Sequence, residues 1–124
     1  MKRAFSDTRG ITAVEFGMTA PLFMVLLFII VQGSMALWTQ LGISHGAAMA
    51  ARCLTILPTT CSSADATKAY AVAQSFGLGI PASTFTVTTP ACGNQVNASY
   101  VYNVVRFAFG TPSVTLTAQS CFPK

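Results

Sequence analysis

A long stretch without charge limits what this chain can fold into. No Asp, Glu, Lys or Arg occurs between Glu15 and Arg52, in a chain of 124 residues. Within that stretch, residues 16–43 are dominated by Leu, Phe, Ile, Met and Val, most densely at 21–31. A helix needs about 20 mostly apolar residues to cross the bilayer core. The sequence therefore predicts one transmembrane helix followed by a small domain.

The charges on either side of this helix predict its orientation. Lys2, Arg3 and Arg9 precede the apolar run, whereas only Arg52 follows it closely. Positive residues favour the cytoplasmic side of a membrane, which puts the N-terminus in the cytoplasm and the C-terminal domain outside. The other basic residues are scattered, without the basic stripe that a nucleic-acid-binding surface needs. We therefore predict no nucleic-acid partner.

Four cysteines all follow the apolar run, which agrees with this orientation. They are Cys53, Cys61, Cys92 and Cys121. An even number of cysteines on one side of a membrane is typical of disulfides in an oxidising compartment. A zinc site is the weaker alternative, because no Cys-x-x-Cys pair occurs and the only histidine is His45. We predict neither a metal site nor a cofactor.

The expected turns favour one of the three possible disulfide pairings. Cys53 and Cys61 flank a proline bend, so a local bridge closes easily. A final hairpin folded about Gly110 would bring Cys121 back beside the loop that holds Cys92. We expect the bridges 53–61 and 92–121, each of which would contribute roughly 2–4 kcal/mol to stability.

Beyond the apolar run, the chain changes to small residues and then to a helical pattern. Residues 39–53 are rich in Gly and Ala, which predicts that the helix continues as a stalk and that another helix can approach it closely. A short helix is expected after the N-cap residues Ser62 and Ser63, with Asp65 in its first turn and Gly77 at its end. Its predicted buried face consists of Ala66, Ala69, Tyr70, Ala73 and Phe76.

The C-terminal part has the alternation typical of β-strands. Strand patterns occur at residues 84–89, 98–109 and 114–118. The predicted fold class is α+β: a long N-terminal transmembrane and stalk helix, then a short helix packed on a small three-stranded antiparallel sheet with two disulfides. The strand aromatics are expected to fill one face of the sheet or, alternatively, to contact neighbouring subunits. They are Tyr100, Tyr102, Phe107 and Phe109.

A single acidic residue stands at the entrance of the apolar helix. The junction from Arg9 to Phe16 reads Arg-Gly-Ile-Thr-Ala-Val-Glu-Phe, so that Glu15 lies five residues after Gly10. A carboxylate close to the bilayer core is costly, and an acidic residue there is by default a functional candidate. The alternative is that Glu15 lies at the cytoplasmic interface and extends its side chain to water.

This junction resembles the processing site of type IV prepilins, in which a basic leader ends in glycine and glutamate is the fifth residue after it. Together with residues 20–23 and the small-residue run at 46–52, it is similar to the TadE-like minor pilins (pseudopilins) of the tight-adherence, or Flp, pilus system. The tail around Cys92 also resembles a variant of that family. Major pilins of this system usually carry tyrosine after the glutamate, whereas this chain has Phe16, which favours a minor pilin or pseudopilin.

The resemblance implies how the N-terminus is used. An aspartic prepilin peptidase of the bacterial inner membrane would cut between Gly10 and Ile11. The new amine of Ile11 would pair with Glu15 of a neighbouring subunit, and Glu15 and Phe16 would belong to the part of the helix that assembles subunits. The implied function is assembly of a Tad pilus used for surface adhesion. The implied partners are the inner membrane, the prepilin peptidase, other pilins and the Tad assembly machinery.

This interpretation divides the chain into a basic leader at 1–10, a transmembrane and stalk helix at 11–57, and a periplasmic domain at 58–124. A different interpretation is a secreted or bitopic envelope protein with a small disulfide-bonded binding domain, in which a signal peptide ends at Ala36. Against cleavage there, the apolar run continues past Leu37. The first residue of the mature protein distinguishes the two interpretations.

An enzyme is the third class, and the chain offers few residues for catalysis. Its three acidic residues, Asp7, Glu15 and Asp65, fall in three different parts of the chain. His45 has no carboxylate or nucleophile near it in the sequence, and bridged cysteines leave no free thiolate. No phosphate-binding glycine loop or serine elbow occurs. We predict a structural protein without a small-molecule substrate.

Overall fold

The fold is α+β, as predicted. The computed structural model describes residues 8–104, 110 and 112–124. In chain order, the elements are helix α1 (Thr8–Ile56), helix α2 (Ala64–Ala73), a 3-10 turn (Ala82–Thr84), and strands β1 (Phe85–Thr88), β2 (Asn94–Asn103) and β3 (Ser113–Phe122). They form two compact units, of which the first ends at Ser34 and the second is Met35–Lys124.

The first part of α1 has an apolar and unburied surface. Most large apolar side chains between Ile11 and Val31 are exposed. Within the described residues, Gly10–Ile56 is the one helix that is long and apolar enough to cross a membrane, and none of its most apolar window is buried. A soluble helix would bury such a surface, whereas lipid accommodates it. This helix fits a single-pass membrane protein.

The end of α1 follows the prediction. The helix stops at Ile56, two residues before Pro58, because proline lacks the amide hydrogen and disfavours helix in the residue before it. Leu57 N still donates to Cys53 O at 2.9 Å, and Cys61 N donates to Leu57 O at 3.0 Å. These bonds make a compact turn between the two helices.

Helix α2 begins as predicted but ends earlier. Ser63 is its N-cap, and Ser63 Oγ accepts a hydrogen bond from Ala66 N at 3.2 Å. The last helical residue is Ala73, and Gln74 is the C-cap. The predicted stop at Gly77 lies beyond the end of the helix, in a turn where Gly77 has a φ of 69°.

The predicted buried face of α2 is wrong. Ala69 and Phe76 of that face are exposed, whereas Thr67, Ala71 and Ser75 are fully buried. The hydroxyls of Thr67 and Ser75 donate to carbonyl oxygens one turn earlier in the helix, at 2.8 and 2.7 Å. A buried hydroxyl costs little once it is hydrogen-bonded. Close packing therefore selects the face that carries no large side chain, even though two of its residues are polar.

The three strands form the predicted antiparallel meander. Their order is β1-β2-β3, with Phe85 opposite Ala98 and Gln95 opposite Cys121. Phe85, Val96 and Ala98 point to the same side and are buried. The opposite side of the sheet carries mainly Thr, Ser, Asn and Gln, so the sheet has one core face and one polar face.

Strand β2 begins at Asn94, earlier than the predicted start at residue 98. Its first residues are polar and give no strand pattern in the sequence. Pairing with β3 holds them in the sheet, and Asn94 Nδ2 also donates to Thr55 Oγ1 of α1 at 3.0 Å. Tyr100 is half-buried and packs against the core. The predicted continuation through Phe107 and Phe109 lies outside the described residues.

The part of α1 predicted to be a stalk forms much of the core of the second unit. Ile43, Ala47 and Ala50 are fully buried, together with Phe85 and Val96 of the sheet. The small side chains allow the helix backbone to lie close to the sheet. This half of α1 is therefore a structural part of the folded unit.

Both predicted disulfides are present. Cys53–Cys61 closes the turn after α1, with Cα atoms 5.9 Å apart. Cys92–Cys121 joins the loop before β2 to β3, with Cα atoms 6.4 Å apart. Their sequence separations are 8 and 29. Because a longer closed loop removes more freedom from the unfolded chain, we expect the second bridge to contribute more stability.

Removing each bridge in turn tests that order. We expect C92A/C121A to lower the free energy of unfolding of the second unit by roughly 3–4 kcal/mol, and C53A/C61A by roughly 2–3 kcal/mol. Urea unfolding of the full chain in detergent micelles measures both losses, with the fluorescence of Trp38, the only tryptophan, as the signal. A midpoint for C92A/C121A equal to that of the parent contradicts the expectation.

Candidate functional site

The predicted processing and assembly residues lie together near the start of α1. Gly10, Ile11, Glu15 and Phe16 are all helical and exposed. A side chain added at Gly10 would meet no atom within 4 Å. Glycine also lowers helix stability by about 1 kcal/mol relative to alanine. The peptide bond after Gly10 therefore lies at an exposed residue that weakens the helix locally.

Glu15 lies one helical turn beyond Ile11. Four residues advance a helix by about 6 Å and return to nearly the same face. In the part of the chain that the structure describes, Glu15 forms no ion pair, and the ion pair that is present joins Lys68 Nζ to Asp65 Oδ1 at 3.5 Å. Glu15 is therefore an exposed carboxylate at the head of an apolar helix, close to the backbone nitrogen of Ile11.

Phe16 begins an apolar surface on the same part of α1. Its side chain is 73% exposed. A shallow concave surface is lined by Phe16, Thr19, Ala20, Phe23 and Met24. Thr19 Oγ1 donates to Glu15 O at 2.9 Å, which satisfies the hydroxyl within the helix. Large side chains next to small ones form the kind of surface against which a second helix packs in lipid.

The close helix approach predicted from the small residues occurs within the chain. Gly42 and Gly46 of α1 face α2 and the turn that follows it. A Cβ added at Gly46 would lie 2.6 Å from Ala71 O and still closer to Ser75 Oγ, and one added at Gly42 would lie 3.2 Å from Ser75 O. At Gly46 only glycine leaves room for the backbone of α2, so the helix that approaches α1 is α2.

His45 has partners that the sequence did not indicate. Its Nδ1 donates to Gln74 O at 2.9 Å, and its ring stacks on Phe76 with the centroids 4.8 Å apart. The two bonded residues are 29 positions apart in the chain, and no local pattern signals such a contact. Within the described residues, no group of three or more His, Cys, Asp and Glu is placed to hold a metal ion.

Comparison with known proteins bears on this N-terminal segment. The model of a family described as TadE-like protein matches residues 10–52. The matched segment contains the predicted processing and assembly residues as well as Gly42 and Gly46. No curated protein matches the chain, and no solved structure does. The resemblance inferred from the sequence is confirmed over these residues, and it associates the protein with Tad pili.

Proposed function

Proceeding from the TadE-like match of residues 10–52, we propose that the protein is a minor pilin or pseudopilin that acts in assembly of a Tad (Flp) pilus used for surface adhesion. One observation carries this proposal. The exposed carboxylate of Glu15 lies one turn after Ile11, at the head of an unburied apolar helix. The role is structural: the protein binds other pilins and the Tad assembly machinery, without a small-molecule substrate.

Processing belongs to the proposal. A prepilin peptidase of the inner membrane cuts between Gly10 and Ile11, which removes the basic leader at 1–10 and frees the amine of Ile11. The open surroundings of Gly10 support cleavage there. The remaining chain consists of the helix at 11–57, whose second half belongs to the folded unit Met35–Lys124, and of residues 58–124 outside the membrane.

The proposed topology puts the N-terminus in the cytoplasm and the outer domain in the bacterial periplasm. Two disulfides support this orientation, because structural disulfides persist in oxidising compartments such as the periplasm and are rare in the cytosol. The positive-inside tendency also supports this orientation, because Lys2, Arg3 and Arg9 of the basic leader precede the apolar run, whereas only Arg52 follows it closely.

Glu15 and Phe16 are the proposed assembly residues. In the pilus, the carboxylate of Glu15 binds the Ile11 amine of a neighbouring subunit, and Phe16 packs against that subunit's helix. Two opposite charges in a low dielectric offset each other's loss of hydration only when they are paired. The pair therefore penalises a misplaced subunit more strongly than it stabilises a correct one.

The mass of the mature protein tests the proposal. When the chain is expressed with its prepilin peptidase, we expect a mass loss equal to residues 1–10 and a first residue of Ile11. Without the peptidase the chain should remain uncut. A mature protein that begins at Leu37 would instead identify a secreted protein, and a chain uncut in the presence of active peptidase would identify a bitopic envelope protein. A known prepilin expressed in the same cells verifies that the peptidase is active.

A further inference from the structure

Three aromatic rings form a partly exposed cluster in the unit Met35–Lys124. The rings of Trp38 and Phe76 have centroids 5.6 Å apart and are tilted by 38°. The His45 ring stacks on the same Phe76, with centroids 4.8 Å apart. Trp38 is 53% exposed and Phe76 is 49% exposed. The cluster therefore joins α1 to the turn after α2 and still presents apolar ring surface to its surroundings.

The backbone holds Phe76 outward in an unfavourable conformation. Its φ is 54°, in the left-handed region that bulky residues rarely adopt. Hydrogen bonds hold the turn on both sides of Phe76. Gln74 O accepts from His45 Nδ1, and Leu78 N donates to Ser75 O at 3.3 Å. Strained residues persist where the surroundings impose them, often at sites of function. An aromatic side chain held outward in this way is suited to contact an apolar environment.

The chain segments that carry the three rings contain no charged residue. Exposed large apolar side chains of this unit near Trp38 in the chain are Met35, Leu37 and Leu41. No Asp, Glu, Lys or Arg occurs between Glu15 and Arg52, nor between Lys68 and Arg106. A lipid headgroup region accepts such a surface, because aromatic residues concentrate at the boundary between headgroups and acyl chains.

The length of α1 puts Trp38 at the level of that boundary. A bilayer core of about 30 Å takes about 20 helical residues. Counted from Phe16, which follows the last charged residue before the apolar run, such a span ends at Met35. Trp38 follows within one turn, and Phe76 lies against it.

We propose that Phe76 is a second interfacial anchor, which inserts with Trp38 into the outer headgroup–acyl boundary of the bilayer and holds the unit Met35–Lys124 against the membrane surface. The proposal rests on the single-pass topology proposed above. Phe76 binds lipid and His45 positions it, through the hydrogen bond to Gln74 and the stacked ring. Two anchors from different parts of the chain restrict the rotation of this unit relative to the membrane, which a single tryptophan does not.

Fluorescence quenching in vesicles tests this placement. The full chain is reconstituted in phosphatidylethanolamine–phosphatidylglycerol vesicles that contain lipids brominated at a shallow or a deep acyl position. Trp38, the only tryptophan, reports its own depth. In W38F/F76W, the tryptophan reports the depth of position 76. In W38F/V101W, it lies on the polar face of the sheet at a position that is 53% exposed, as the matched control.

We expect Trp38 and W38F/F76W to be quenched more by the shallow than by the deep bromine, at similar depths of roughly 5–10 Å into the headgroup–acyl boundary. W38F/V101W should not be quenched. Because position 76 is half exposed, the larger ring fits without repacking, and unfolding midpoints near that of the parent verify the fold of each variant.

The other outcomes separate the two proposals. Quenching of Trp38 without quenching of W38F/F76W overturns the anchor and leaves the single-pass topology intact. The absence of quenching in both overturns the topology, and the anchor with it. The emission of W38F/F76W could instead be shifted to shorter wavelength, be insensitive to bromine, and change when the protein is diluted in lipid. That result identifies a contact between copies of the chain and likewise overturns the anchor.

Discussion

Replacing Gly46 by alanine should destabilise the unit Met35–Lys124 by about 3 kcal/mol or more, at the upper end of what overpacking a core costs. The added Cβ would lie 2.6 Å from Ala71 O and 3.3 Å from Phe85 Cζ, and closer still to Ser75 Oγ. Ala71 O is a backbone atom in the last turn of α2, so the helix itself has to move. Such a loss is a large fraction of the stability of a small domain.

Two other glycines of the same helix give graded controls. At Gly42, the closest atom to an added Cβ is Leu78 Cδ1, the end of a flexible side chain that can turn away, and Ser75 O lies at 3.2 Å. We expect Gly42→Ala to cost only about 1 kcal/mol. At Gly33 nothing lies within 4 Å, so Gly33→Ala should be neutral, or stabilising by up to about 1 kcal/mol through helix propensity.

Urea unfolding of the full chain in detergent micelles, followed by Trp38 fluorescence, measures all three variants. Trp38 is a suitable signal because its contact with Phe76 is lost when the unit unfolds. An unfolding free energy for Gly46→Ala within about 0.5 kcal/mol of the parent, the range of a neutral surface change, would show that α2 does not pack against α1 at this position.

Replacing Glu15 by glutamine should abolish or nearly abolish the protein's contribution to pilus assembly, while membrane insertion is retained. An amine left without its carboxylate in a low dielectric costs about 3–5 kcal/mol, which corresponds to roughly a hundredfold or greater loss in the association constant. Glutamine has nearly the same shape as glutamate, so packing around Phe16 and Thr19 is preserved. The loss of assembly then reports on the charge of Glu15 alone.

The chain offers a matched control for this change. Asp65→Asn removes a carboxylate whose side chain is 95% exposed in a surface pair with Lys68, and such pairs contribute at most about 1 kcal/mol. The assay counts pili on cells and measures the variant in membrane fractions. Parental numbers of pili with Glu15→Gln exclude the proposed charge pair. Loss of the variant from the membrane fraction would show that Glu15 acts in insertion instead.

Much of the N-terminal half could be predicted because its signals are local. The absence of charge between Glu15 and Arg52 predicts a long apolar helix directly, since every side chain of such a helix must suit lipid. The proposed processing and assembly residues from Gly10 to Phe16 fall within two turns of one helix, so their proximity follows from spacing alone. The disulfides could be predicted as well, because Cys53 and Cys61 are close in the chain and the expected hairpin about Gly110 brings Cys121 beside the loop that holds Cys92.

The face of α2 could not be predicted from periodicity. Ala69 and Phe76 give an apolar pattern at helical spacing, but they are exposed, whereas Thr67 and Ser75 are buried. Nothing local distinguishes the faces, because the hydroxyls bond back to their own helix. The partner surface decides which face of α2 is buried, because only small side chains fit against Gly46.

The apolar helix, the disulfides and the order of the strands follow from the sequence, because each depends on neighbours in the chain, on the expected turn between successive strands, or on a uniform apolar character. Tertiary structure decided which face of α2 is buried, where β2 begins, and that His45 and Trp38 meet Phe76. These features depend on contacts between residues far apart in the chain, such as the hydrogen bond between His45 and Gln74, which are 29 positions apart. Their free energies come from the shape of the opposing surface, which no local pattern encodes.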